Sequence, residues 1–333
     1  MERQQEQALI GESPVFLEIL EHVSRVAQLN RPVLVVGERG TGKELIAARI
    51  HYLSPRWDRP FVKLNCSALA ESLLETELFG HEAGSFTGAT RRRIGRFELA
   101  NEGSLFLDEL ASTSDRVQEK VLRVVEYGEL ERVGGNDTIH TDVRIIGATN
   151  EDLPALAKQG KFRPDLLDRL AFDVITLPPL RERREDIMPL AEHFAVKMSS
   201  ELGLVLFQGF SESARDLLLD YYWPGNVREL KNVVERAVYS SVGNDQPIAW
   251  ISFDPFDSPW RPGAQTEEHD SGISMPRDAY DFKEHIQQLE MTLLKSALQK
   301  CRFNQKKTAI FLGMTYHQLR GYLRKYELTD QED

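Results

Sequence analysis

The sequence predicts an α/β nucleotide-binding domain on a parallel sheet, a smaller helical lid domain after it, and an all-α C-terminal helix-turn-helix. Three observations predict this. Between Pro32 and about Pro179, short β-branched apolar runs alternate with helical patterns, the arrangement that gives a mostly parallel sheet. From Glu185 to about Val242 the apolar period is helical, as in Ile187, Leu190, Ala191 and Phe194 and later Leu230, Val233, Val234 and Ala237. A locally basic segment then closes an acidic chain. The expected division is 1–180 for the α/β part, 181–253 for the helical part, 254–280 for a linker and 281–333 for the C-terminal unit. Pro255, Pro259, Pro262 and Pro276 mark the linker.

At 333 residues the chain is too long for one ordinary domain. Hydrophobic residues at 41% and charged residues at 28% are close to the values of globular proteins and unlike those of disordered chains. A net charge of −11 opposes nonspecific DNA binding, so any nucleic-acid site must be a local basic patch. Cys66 and Cys301 lie far apart without metal-ligand spacing, which fits a reducing compartment and no disulfide framework. Both read as plain buried residues. No apolar run approaches the roughly 18 residues of a membrane span. A cytoplasmic protein without membrane insertion is expected.

The expected strands are the apolar runs 33–36, 61–64, 104–107, 143–147 and 174–177, each short and without alternation, as for strands buried on both faces. The first runs into Gly37-Glu38-Arg39-Gly40-Thr41-Gly42-Lys43-Glu44, the G-x4-G-K skeleton of a phosphate-binding loop opening a helix. Its backbone N–H groups curl around phosphates, the helix N-terminus adds positive potential and Lys43 reaches the terminal phosphates. ATP is the expected ligand. Glu44 stands where a Ser/Thr hydroxyl usually binds magnesium, so Mg2+ must rely on other groups.

Asp108 and Glu109 end the third run, at the C-terminal end of a buried strand beside the loop. Asp108 can hold Mg2+ through water, and Glu109 can polarise the water that attacks the γ-phosphate in line. Asn65 ends the second strand, where it either hydrogen-bonds Glu109 and restrains it or merely caps a turn. Thr149 and Asn150 follow the 143–147 run and either sense the γ-phosphate or form an ordinary turn. Arg163 and Arg169 lie in the charged segment 161–169, where they either make surface salt bridges or act on a neighbouring subunit's nucleotide. Arg228, within the helical part, can report nucleotide to that domain as it closes.

The segment 77–89, Glu-Leu-Phe-Gly-His-Glu-Ala-Gly-Ser-Phe-Thr-Gly-Ala, resembles the G-A-F-T-G-A loop of sigma-54 activators, bacterial enhancer-binding proteins of the AAA+ class. The resemblance extends through the 37–44 loop, Phe106-Leu107-Asp108-Glu109, the segment 162–170 and Trp223-Pro224-Gly225-Asn226-Val227-Arg228-Glu229-Leu230. It covers about residues 9 to 250 and the C-terminal unit, and Glu44 is the family's own form. It implies a hexameric ring with ATP between subunits. It also implies that Gly84, Ser85, Phe86, Thr87, Gly88 and Ala89 contact sigma-54 in the RNA polymerase closed complex, which hydrolysis remodels to the open complex. Glycines flanking an exposed Phe and a hydroxyl suit a mobile contact. Ser85 replaces the family's usual alanine. The resemblance makes a second, hairpin-like segment, residues 131–135, the counterpart of the family's other pore-facing loop.

Only about 36 residues precede the phosphate-binding loop, fewer than a sensory domain needs, so control is expected in trans. This organisation resembles the subgroup of phage shock (psp) operon activators, which a separate protein, PspA, holds in check. The resemblance makes Trp57, in a polar proline-bounded loop, the expected contact for a PspA-like inhibitor. Without it, Trp57 reads as a partly buried loop anchor.

Between Lys300 and Tyr326 stand seven Lys/Arg and no Asp or Glu. The segment 304–315 reads as a short helix ending in a glycine turn, and a second helix starts at about Tyr316. This helix-turn-helix resembles the Fis type that ends sigma-54 activators and is expected to bind double-stranded enhancer DNA. His317, Gln318, Arg320 and Arg324 can face outward. Lys306, Lys307 and Lys325 suit phosphate contacts. A passive nucleotide-gated DNA-binding adaptor has no need of Asp108 and Glu109. A ring unfoldase or DNA loader leaves the 84–89 loop and the basic unit without a purpose.

Overall fold

The computed structural model describes residues 9–86, 89–244, 246–258, 260–261, isolated positions between 283 and 298, and 305–326. The chain divides into two compact units, Met1–Pro255 and Phe256–Asp333. Most of the expected 254–280 linker, and Cys301, lie outside the described residues.

The first unit opens with α1 (Pro14–Ala27), β1 (Val33–Val36), α2 (Lys43–Tyr52), β2 (Phe61–Asn65), α3 (Glu71–Phe79), α4 (Arg96–Leu99) and β3 (Ser104–Asp108). There follow α5 (Asp115–Tyr127), β4 (Glu129–Glu131), β5 (Thr138–His140), β6 (Arg144–Thr149), α6 (Leu153–Lys158), α7 (Pro164–Leu170) and β7 (Asp173–Thr176). The five expected strands are β1, β2, β3, β6 and β7, with β1 as expected and the ends of the others shifted by one or two residues. They form one sheet in the order β2-β3-β6-β1-β7, and every pairing is parallel. β4 and β5 form a separate antiparallel pair.

Both faces of the sheet are covered, which explains the unbroken apolar runs. Val33, Val35, Phe106, Ile146 and Ala148 pack with Phe16, Val23 and Ile46 of α1 and α2. Leu34, Leu105, Leu107 and Ile145 face α3, α5 and α7 through Leu74, Val117, Val121 and Leu166. Each buried Val, Leu, Ile or Phe here contributes about 1.5–3 kcal/mol of burial. Arg144, at the start of β6 and buried, donates to the carbonyls of Val26, Ala27 and Arg31 at 2.9, 2.7 and 3.0 Å. A cation at the carbonyl end of α1 is favourable. Burial nevertheless pulls the Arg144 pKa down to about 10, with Arg56 adding to the effect.

The order places the C-terminal ends of β3, β6 and β1 side by side. The connection after β1 leaves for β2 at the edge while β6 and β7 flank β1, so the chain reverses direction here and opens a crevice. The loops after β1, β3 and β6 carry the Gly37–Lys43 segment, Glu109 and Asn150.

Three helices follow: α8 (Ile187–Glu201), α9 (Glu212–Asp220) and α10 (Asn226–Ser240). Leu190, Ala191, Leu218, Trp223, Leu230 and Val234 build their core. Trp223 is fully buried, and its indole N–H donates to the Leu218 carbonyl at 2.8 Å. At the base of this bundle the buried Asp186 accepts from Glu12 N, Ser13 N and Ser13 Oγ at 2.6, 2.8 and 2.8 Å, tying down the residues that lead into α1. In the second unit, α11 (Gln305–Phe311) and α12 (Tyr316–Lys325) share a small core with Leu294 and Leu298. Among the described residues no helix is long and apolar enough to cross a membrane.

Candidate functional site

The loop after β1 is anchored at its start, where Gly37 N donates to the Thr149 carbonyl at 3.2 Å. Gly40 has φ 80°, and a Cβ there would collide with the Gly225 carbonyl oxygen, so only glycine fits. Lys43 begins α2 and is buried. Its ammonium donates to the Gly37 and Glu38 carbonyls at 2.8 and 3.1 Å. Burial lowers the Lys43 pKa, while the Glu109 and Asp108 carboxylates oppose that shift. Lysine, the two carboxylates and the amides of the α2 N-terminus thus converge on one crevice. Thr41 Oγ1 donates back to the Glu38 carbonyl at 2.8 Å, closing the loop on itself.

Asn65 and Asp108 are directly opposed in the β2–β3 register, and Asn65 Nδ2 donates to Asp108 Oδ2 at 3.3 Å. The amide therefore holds Asp108 and not Glu109, so of the two readings the sequence leaves open, the bond to Glu109 is not the one observed. The reason is local: Glu109 leaves the strand with φ 53° in the left-handed region, so its side chain departs from the ladder that aligns Asn65. Asn65 also caps the following turn, its Oδ1 accepting from Ser67 N at 2.9 Å. Glu109 N donates to Asp108 Oδ1 at 3.0 Å, and the Glu109 carboxylate lies 3.8 Å from the Arg39 guanidinium. Asp108 thus presents a strand-end carboxylate beside Lys43, a donor that suits a water-held hard cation.

Thr149 Oγ1 accepts from Glu151 N at 3.0 Å, an ordinary turn contact. Asn150 differs, because its Oδ1 is buried with no hydrogen-bond partner. Glu44 turns away to Lys63, whose Nζ lies 3.0 Å from its carboxylate. Arg228 is exposed at the start of α10, its Cβ facing Gly40.

The 84–89 loop rises from a fixed base. His81 and Arg93 exchange backbone hydrogen bonds, and Glu82 N and Val133 N bond to the carbonyls of Val133 and Gly80 at 3.1 and 3.0 Å. Ser85 Oγ donates to the Glu82 carbonyl at 2.8 Å. Gly84 N donates to the Ala89 carbonyl at 2.7 Å, drawing the loop ends together. Arg132, between β4 and β5, is buried with Nη1 2.8 Å from Glu82 and Nε 2.9 Å from Glu98 of α4. Its pKa is raised, first by Glu98 and then by Glu82. Phe86 is 44% exposed, edge-on to His81 at 5.0 Å. Thr87 and Gly88 lie outside the described residues.

In the second unit, Gly313 makes the turn with φ 65°, and Thr315 caps α12 in a capping box with Gln318. Lys307, His317, Gln318, Arg320, Arg324 and Lys325 are exposed, while Leu319 and Leu323 are buried. Gln318 accepts from Thr315 N at 2.8 Å, so its carbonyl oxygen serves the cap. Lys325 lies 3.2 Å from Glu290 and 4.6 Å over the Tyr326 ring, an engagement the sequence did not suggest. The Lys306 side chain lies outside the described residues.

Residues 9–176 match the family described as the sigma-54 interaction domain, 181–268 the AAA+ ATPase lid domain, and 286–326 the bacterial regulatory protein, Fis family. The Psp operon transcriptional activator of Escherichia coli (strain K12) is 57% identical over 320 residues, 96% of this chain and 98% of that protein. The chain belongs to the sigma-54 activators. The Nif-specific regulatory protein of Azotobacter vinelandii is 45% identical over 314 residues, 94% of this chain and 58% of that protein. Among solved structures, NtrX from Brucella abortus in complex with ADP aligns with a TM-score of 0.71 and 31% identity, covering 96% of this chain and 70% of that one. NtrX in complex with ATP aligns with a TM-score of 0.69 and 31% identity.

This sigma-54 activator is therefore an ATP-binding AAA+ ATPase with a lid and a Fis-type DNA-binding helix-turn-helix. The structure does not bring Arg163 or Arg169 to the Lys43 crevice. Arg163 pairs bidentately with Asp165 at 3.1 and 2.8 Å, and Arg169 pairs with Glu126 at 2.6 Å. Trp57 is 64% exposed. Its loop is held by Arg56, which chelates Asp142 at 2.7 and 2.8 Å and donates to the Gly103 carbonyl at 3.0 Å. The sequence places Arg132 in the 131–135 segment but carries no signal of its pairing with Glu98, which forms only in space. Nor does it signal that Arg181, Arg183 and Asn226 reach the phosphate-binding loop.

Proposed function

We propose that the protein binds upstream enhancer DNA in the cytoplasm, forms a hexameric ring and uses ATP hydrolysis to remodel the sigma-54 RNA polymerase closed complex, with the psp operon as its target. One observation carries this reading. Glu98, which holds the base of the 84–89 loop through Arg132, and the hydrolytic candidates Asp108 and Glu109 stand at opposite ends of the α4–β3 segment. A change at the phosphates is thereby led toward the loop that would touch sigma-54.

In this mechanism Lys43 and the 37–42 amides bind the phosphates, and Asn150 offers its unpartnered oxygen toward the terminal one or its attacking water. Asp108 would hold Mg2+ through water, and bound Mg2+ neutralises developing phosphate charge. Glu109 orients and polarises the attacking water. Arg163 and Arg169, each paired with a carboxylate in the single chain, exchange those partners for a neighbouring subunit's phosphate. Their service in trans makes the ring necessary for hydrolysis. The proposed division is an α/β part to residue 180, a lid from 181 to 253, a linker from 254 to 280 and a DNA-binding domain from 281.

The test removes residues 281–333. The remaining protein is expected to hydrolyse ATP and to open a sigma-54 promoter only at high concentration, because the DNA tether mainly raises local concentration. An unchanged concentration requirement, with unchanged salt-dependent DNA affinity, overturns the enhancer assignment.

Inhibition is proposed to act in trans through Trp57. The side chain is exposed while Arg56 fixes its backbone, an arrangement suited to an aromatic anchor for a PspA-like protein. Trp57→Ala is predicted to fold, to hydrolyse ATP at about the wild-type rate and to escape the inhibitor, as read by ATPase titration with a PspA-like protein. Full inhibition of that variant places the contact elsewhere.

A further inference from the structure

Glu38 lies inside the phosphate-binding loop, yet its side chain is engaged by the lid. Arg181 Nη1 and Nη2 donate to its two carboxylate oxygens at 2.9 and 2.6 Å. Asn226 Nδ2 donates to Glu38 Oε2 and to the Arg39 carbonyl, both at 3.0 Å. Asn226 is fully buried with φ 53°, a conformation that asparagine tolerates better than most side chains. Its other end accepts from Leu180 N at 2.8 Å. One side chain thus bridges the start of the lid, the start of α10 and the loop.

Two further contacts point the same way. Arg183, buried, donates to the Thr41 carbonyl at 3.1 Å. Gly40 packs so closely on Gly225 that no Cβ fits between them. Arg181 also lies 4.7 Å over the Tyr222 ring, which ties it to the turn ahead of α10.

We propose that Glu38, Arg181 and Asn226 form a latch through which lid position sets the conformation of the phosphate-binding loop. These are positioning residues: they act on nucleotide through the loop backbone. The Glu38 carboxyl is unavailable to repel phosphate while Arg181 holds it, and the 38–41 amides keep a binding shape only while the lid is docked. Hydrogen bonds from Arg181, then Asn226, lower the Glu38 pKa from 4.5 to about 2. A lowered carboxyl keeps its folded contact above the ordinary range and loses it as pH falls through about 2. The latch is therefore closed throughout the physiological range and opens by lid motion, not by titration.

The inference rests on residues 37–43 being the phosphate site, so Lys43→Ala is included as a control. Full-length Arg181→Gln, Glu38→Gln and their double variant are compared for binding of a fluorescent ATP derivative, for kcat and KM, and for amide hydrogen exchange at 38–41. Arg181→Gln is expected to raise Kd and KM about tenfold while lowering kcat less than about threefold, with faster exchange at 38–41. The double variant is expected to be no worse than the weaker single one, since the two act through one contact. Arg181→Lys, which keeps the charge and one hydrogen bond, is expected to recover part of the affinity and serves if Arg181→Gln does not fold. Additive losses, a fall in kcat with unchanged KM, or unchanged exchange at 38–41 overturn the latch. Normal ATP binding by Lys43→Ala overturns the phosphate site itself.

Discussion

Glu109→Gln is predicted to lower kcat for ATP hydrolysis by about 10²-fold or more while leaving ATP affinity within about threefold. The amide keeps the size of the carboxylate and its backbone conformation, so the left-handed turn at φ 53° bears no new strain. The substitution removes only the charge that can accept a proton from water. Its pairing with Arg39 is long at 3.8 Å, and Arg39 is 74% exposed, so losing it costs little stability. Single-turnover hydrolysis together with equilibrium nucleotide binding separates the two quantities. Wild-type turnover in Glu109→Gln would remove Glu109 from the reaction and leave Asp108 as the remaining strand-end carboxylate.

Much of this geometry was legible because it is local. Short β-branched runs such as Val33–Val36, bounded by turn residues, fit strands covered on both faces, and G-x4-G-K after a strand leaves little choice of structure. Gly313 and the capping pair Thr315 and Gln318 likewise fix the second helix from short-range chemistry. What was not legible depends on register and on distance along the chain. The sequence leaves Asn65 either bonding Glu109 or capping a turn; parallel pairing sets it opposite Asp108, and its oxygen caps the turn. Glu38 was read as part of a phosphate cradle, because nothing in sequence brings Arg181 and Asn226 to it. The β4–β5 strands are three residues each, too short to carry a period, so the sequence marks only a hairpin-like segment at 131–135. Their contribution through Arg132 is an ion-pair arrangement assembled from three separate segments.

That arrangement bears on the second large effect, because the loop base and the loop tip are held differently. The base is fixed by backbone hydrogen bonds among residues 80, 81, 82, 93 and 133 and by Arg132, none of which uses the Phe86 side chain. Phe86 itself makes an edge contact with His81 and leaves 44% of its surface in water. An exposed ring on a supported base costs solubility unless a partner covers it. Phe86→Ala is therefore predicted to leave ATP turnover within about twofold and to lower open-complex formation at a sigma-54 promoter by about 10²-fold or more. Such a loss corresponds to about 2.7 kcal/mol, within the range of a central aromatic anchor. Phe86→Tyr, which keeps the ring, is expected to retain most of the output. The measurements are steady-state ATPase, sigma-54 binding in the presence of an ATP transition-state analogue, and promoter opening. Parallel loss of hydrolysis and promoter opening would make the ring a structural support for the loop, and intact sigma-54 binding by Phe86→Ala would move the contact away from this tip.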